Sequence, residues 1–175
     1  FYRMRVEELK FKRIIDVSRR LFAGMTVWPG DEPFSICRDM SMEKGDEVNL
    51  SHVTMSSHTG THVDAPRHMA ADGDAVESLD LSYFTGTVRV FELDVEECIR
   101  ESDIITLRMD KGDAVFFKTR NSCVTDESAF SEEYVYLHRS AARRLVQSGV
   151  KTVGVDALSV DKFGSEDNPA HHFLL

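Results

Sequence analysis

Apolar and polar residues alternate repeatedly through Glu47–Ser57. That spacing predicts a strand, because successive side chains of an extended chain point to opposite faces. Ser35–Met42 reads as a strand before it, and Ile14–Ser18 as a first short one. Between them Trp28–Pro33 holds Pro29, Gly30 and Pro33 and reads as a turn-rich loop. Thr87–Leu93 is rich in β-branched and aromatic residues and predicts a further strand, as does Asp113–Thr119, entered through Gly112. The clearest helix is expected over Glu132–Gln147. Ser131 suits its N-cap, Glu132 and Glu133 suit the positive end of the helix dipole, and Gly149 suits the stop. Thr152–Leu158 follows as a buried strand, and Asp167–Pro169 as a loop before His171 and His172. A helix followed by a strand in an otherwise strand-rich chain predicts an α/β (α+β) fold with few helices.

Composition narrows the class of protein. The chain has 175 residues, 42% hydrophobic and 29% charged, which fits one globular domain with a substantial core. The net charge of −9 argues against a nucleic-acid partner, since phosphates need a basic face. No apolar run approaches the ~18 residues of a membrane span. Phe1–Lys12 is mixed and charged, which is not the pattern of a secretory leader. Cys37, Cys98 and Cys123 are odd in number, far apart and without a C-x-x-C, so reduced thiols in the cytoplasm are expected.

The chemistry concentrates after the second alternating strand. His58, His62, Asp64 and His68 share one parity, so an ideal strand would aim all four to one face. A straight strand would nonetheless spread His58 and His68 over roughly 33 Å, and His58 and His62 over ~13 Å, too far for one ion. The chain must bend. Gly60 is where it can, and Pro66 prevents a regular helix and biases Ala65 toward extended backbone. Two imidazoles and a carboxylate inside such a bend suit zinc, manganese or iron and leave room for water and substrate. His68, beyond the proline, is the better general acid or base, since free imidazole titrates near neutral pH; a role as a further ligand stays open.

The run His58-Thr59-Gly60-Thr61-His62-Val63-Asp64-Ala65-Pro66-Arg67-His68 resembles the H-x-G-T-H-x-D-x-P-x-H signature of the cyclase-like metal hydrolases, a family that includes kynurenine formamidases and isatin hydrolases. Trp28–Asp31, Gly112–Thr119, Gly154–Ser159 and Pro169–Leu175 are similar to further segments of that family, so the resemblance spans most of the chain. It implies a swivelling β/β/α domain, a homodimer or homotetramer, and hydrolysis of an amide C–N bond in a small, aromatic N-formyl or cyclic amide. It also implies His58, His62, Asp64 and the late His171 as metal ligands, with His172 the fallback, and His68 as acid/base. Zinc is the first expectation and manganese the second, with one or two ions per subunit. Two-metal members carry a glutamate ligand beyond the late histidine, and the sequence stops at Leu175 before reaching one; single-metal chemistry is the expectation where that glutamate is absent.

Other residues carry two readings each. Trp28 stacks on an aromatic substrate, across a dimer interface as in family members, or packs in the core. Asp156, in an apolar strand, orients a ligand histidine or caps a neighbouring turn. Asp31 shapes its turn. His52 is read as packed or surface, and His138 as a non-catalytic helix residue. Two other classes stand beside the hydrolase: a non-catalytic metal-binding protein of the same fold, and a metal-dependent cyclase or lyase. A serine-type formamidase is disfavoured by the lack of G-x-S-x-G.

Overall fold

The computed structural model describes residues 12–124 and 129–175; Phe1–Phe11, most of the charged opening stretch, lie outside them. The strands run β1 (Ser35–Met40), β2 (Leu50–Thr54), β3 (Val88–Glu92), β4 (Cys98–Ile99), β5 (Ala114–Lys118), β6 (Tyr136–Leu137) and β7 (Thr152–Val155). The helices are α1 (Glu101–Ile104), α2 (Arg139–Ser148) and α3 (Pro169–Leu174). β3, β5 and β7 form a parallel sheet with β5 in the middle, and β4 pairs with β6 in parallel. β1 and β2 make a separate antiparallel hairpin with Ile36 opposite Val53 and a bulge between Arg38 and Met40. This is an α/β fold.

The core explains why α2 sits where it does. Ala141, Ala142 and Leu145 of α2 are fully buried against Val115 and Phe117 of β5, together with Ile99, Ile104, Leu137 and Ala170. A parallel strand needs cover, and α2 and α3 supply it on this face. Gly154 in β7 lets the sheet close up, since a Cβ there would lie 2.6 Å from Phe116 Cδ1. The start of the sheet is tied by Arg89 of β3, which pairs with Asp110 and Asp113 at the turn before β5.

Four expectations need correction. Ile14–Ser18 forms no strand: the backbone is irregular, no strand among the described residues pairs with it, and Ile14 and Val17 are 76% and 81% exposed. A β-rich sequence without a partner strand has nothing to receive its backbone bonds. The first two strands are shorter than their patterns, because Met42–Lys44 coils into a 3-10 turn closed by Gly45.

The helix expected from Glu132 begins only at Arg139, capped by His138, whose ring accepts from Ser140 N–H. The preceding residues form β6 instead. Val135 and Leu137 are buried while Tyr134, Tyr136 and His138 are half-buried, a period of two that packing against β4 enforces. Asn121 holds Val135 at both backbone groups, donating to its carbonyl and accepting from its N–H, each at 2.9 Å. The N-cap signal at Ser131 is spent on a local turn, where its hydroxyl accepts from Glu133 N–H at 3.2 Å. Finally, the loop expected over Asp167–Pro169 ends at Asn168: Pro169 is the first residue of α3, and His171 stands on that helix.

Candidate metal centre

β2 delivers the chain to His58, and the bend comes at Gly60, whose φ of 68° lies in the left-handed region. A side chain there would be strained, and its Cβ would also meet Leu21 Cδ2 at 2.6 Å. Pro66 then starts a single 3-10 turn, Pro66–His68, in which His68 N–H donates to Ala65 O at 2.8 Å. These two local devices fold the segment back on itself.

The result is convergence. His58 Nδ1 lies 3.2 Å from His62 Nε2 and 2.8 Å from Asp64 Oδ1, and His62 Nε2 lies 3.4 Å from the same oxygen. The His68 ring stacks at 4.2 Å from that of His58. Ligand atoms of His58, Asp64 and His68 all fall within 4.8 Å of one another. From α3, His171 brings Nε2 to 3.8 Å from Asp64 Oδ2, while the adjacent His172 is exposed. The described residues thus bring together His58, His62, Asp64, His68 and His171. A cleft of about 1150 Å³ has His62, Asp64 and His171 on its wall.

The electrostatics follow from this crowding. Asp64 is held below the usual carboxylate range: burial opposes ionisation, but contact with His62 and the charges of His58 and His68 outweigh it. His62 is raised by its contact with Asp64, against the effect of burial. His68 is lowered, first by burial and then by the neighbouring imidazoles, so it is neutral near neutral pH. Asp64 Oδ1 is buried and makes no hydrogen bond, although two imidazole nitrogens stand close to it. A buried carboxylate oxygen with two imidazole nitrogens beside it and no hydrogen bond of its own lacks the partner that burial requires. The donor set of imidazoles and a carboxylate fits a divalent cation at that point.

The other singled-out residues separate. Trp28 is half-buried in an aromatic cluster, its ring 5.4 Å from Phe130, 5.3 Å from Phe163 and 6.4 Å from Tyr134. Phe130 and Tyr134 of that cluster line the cleft. His52 is exposed on the hairpin and faces Asp39 Oδ1 at 2.7 Å. Asp31 closes its turn with an N–H bond to Trp28 O at 3.0 Å.

Asp156 resolves to the cap of a neighbouring turn. It accepts from Thr119 N–H at 2.6 Å, Thr119 Oγ1 at 3.0 Å, Ser122 N–H at 3.0 Å and Ser122 Oγ at 2.6 Å. Asp156→Ala is expected to lower the urea midpoint markedly, at about 1–3 kcal/mol for each buried donor stranded; an unchanged midpoint would contradict the role. The carboxylate that does reach a histidine of the cluster is Asp161, whose Oδ2 faces His171 Nδ1 at 2.7 Å. Sequence reasoning passed over it. The available signal was a charged residue directly after the apolar Val160, ten positions before His171.

The chain matches the family described as "Putative cyclase" over residues 15–162. It is 36% identical over 160 residues to a kynurenine formamidase of Geobacillus thermodenitrificans, covering 91% of this chain and 76% of that one. A kynurenine formamidase of Salinibacter ruber is 37% identical over 164 residues, 93% of this chain and 77% of that one. Among solved structures, a predicted metal-dependent hydrolase from Bacillus stearothermophilus superposes with a TM-score of 0.77 at 34% identity, over 91% of this chain and 76% of that one. Isatin hydrolase A from Labrenzia aggregata shares the fold at a TM-score of 0.78 and 20% identity, over 93% of this chain and 76% of that one.

Proposed function

We propose, because this chain belongs to the cyclase family, that it is a metal-dependent hydrolase cleaving the amide C–N bond of a small aromatic substrate, with an N-formyl anilide the first candidate. The observation that carries the reading is the convergence of His58, His62 and Asp64 around a buried carboxylate oxygen without a hydrogen bond. The curated relatives at 36% and 37% identity are kynurenine formamidases, which supports the amide and the aryl group.

In this reading His58, His62, Asp64 and His171 hold a divalent cation, zinc first and manganese second. Such a cation supplies Lewis acidity, bringing the pKa of a water to about 7 and polarising the amide carbonyl. His68 is the exposed member of the cluster and is neutral, so its free nitrogen accepts the proton of the attacking water. The same nitrogen then returns that proton to the leaving amine. The substrate's aryl group lies against the aromatic cluster built on Trp28, meeting Phe130 and Tyr134 where they line the cleft.

A second reading has His68 as a ligand, and the grouping of His58, Asp64 and His68 within 4.8 Å favours it. Metal content of a His68 variant separates the two. The function itself is tested with N-formyl anilides. Hydrolysis is expected, with loss on chelation and return on adding zinc or manganese. Metal bound with no turnover of any aryl amide would instead make this a non-catalytic binding protein.

A further inference from the structure

We infer that Asp161, outside the histidine segment, is a positioning residue that presets His171 to face the centre with an unprotonated Nε2. The inference rests on the metal reading given under Proposed function. Asp161 is 2% exposed. Its Oδ2 faces His171 Nδ1 at 2.7 Å and accepts from His171 N–H at 3.0 Å, and its Oδ1 accepts from Ala170 N–H at 2.7 Å. An ionised carboxylate only accepts, so the ring proton sits on Nδ1. In a neutral imidazole the other nitrogen then carries the lone pair. That nitrogen is the one 3.8 Å from Asp64 Oδ2, and the centroid of the His171 ring lies 5.5 Å from that of His68.

One carboxylate therefore fixes both the ring and the backbone that bears it. α3 opens at Pro169, and Asn168 before it gives no side-chain cap. The N–H groups of Ala170 and His171 in its first turn are taken by Asp161 instead. Asp161 is itself held: its backbone carbonyl accepts from the Tyr134 hydroxyl at 2.6 Å, and its N–H donates to Ser159 Oγ at 3.2 Å. Helix start, ring angle and ring tautomer are set together, before any cation arrives.

The test has two arms. In the first, 15N-resolved NMR of the metal-free wild-type protein reads the tautomer of His171; protonation at Nδ1 is expected, and an Nε2–H tautomer overturns the inference without any variant having to fold. In the second, zinc affinity is measured by competition for wild type, Asp161→Ala, His171→Ala and the double variant. Asp161→Ala is expected to lose ~10–100-fold in affinity, and the double variant to be no weaker than His171→Ala alone. Losses that add in the double variant would mean that Asp161 supports the fold generally and would overturn the inference. Wild-type protein that shows the Nδ1–H tautomer but binds no zinc supports the presetting and removes the metal reading, so the two failures are distinguishable.

Discussion

Replacing His68 with alanine is expected to lower kcat by ~10²–10⁴, the usual contribution of a positioned acid or base, while the metal content of the purified protein stays at its wild-type level. The ring stacks on His58 at 4.2 Å, so it stands at the centre, but it is the exposed member of the cluster. Removing it leaves the imidazoles of His58, His62 and His171 and the carboxylate of Asp64 in place. Atomic emission on the same sample used for the rate measurement makes the two readouts comparable. Loss of the ion in step with loss of rate would make His68 a ligand. A rate equal to wild type would remove it from the chemistry altogether.

The second large effect belongs to Asp64. Asp64→Asn is expected to strip the cation and abolish turnover, a deeper loss than the ~10–100-fold in affinity that an outer-sphere partner costs. The carboxylate stands between two of the imidazoles, at 2.8 Å from His58 and 3.4 Å from His62. An amide of the same size keeps the packing and removes the charge, so a variant that folds and unfolds like wild type yet holds no metal isolates the electrostatic role. Retention of stoichiometric zinc by Asp64→Asn would show that the centre is built on other residues.

Much of this site could be read from the chain because its constraints are local. The parity of His58, His62, Asp64 and His68 set them on one face, and chain length made a straight strand impossible. The bend falls at Gly60, the one residue between His58 and His62 without a side chain to oppose it, and its φ is 68°. Asp161 was not legible, because its partners lie on a helix whose existence was itself missed and whose first turn it helps to hold. The helix misplaced over Glu132–Leu137 fails for a related reason. Ser131 and two glutamates are a sound local start signal, but burial of Val135 and Leu137 beside β4 and Asn121 decided for a strand.

By itself the sequence determined the α/β class, the core of each strand in the parallel sheet, the stop at Gly149 and the bent histidine segment with its donor chemistry. Each of these depends on residues a few positions apart, where backbone sterics and side-chain period leave few choices. The tertiary structure turned His171, the late histidine that the family resemblance favours, toward Asp64, and it alone decided that Asp161 rather than Asp156 reaches a histidine and that Ile14–Ser18 finds no partner strand among the described residues. Those outcomes turn on contacts between segments distant in sequence, whose free energy comes from burial and from polar groups that must find partners once buried. No spacing along the chain encodes that.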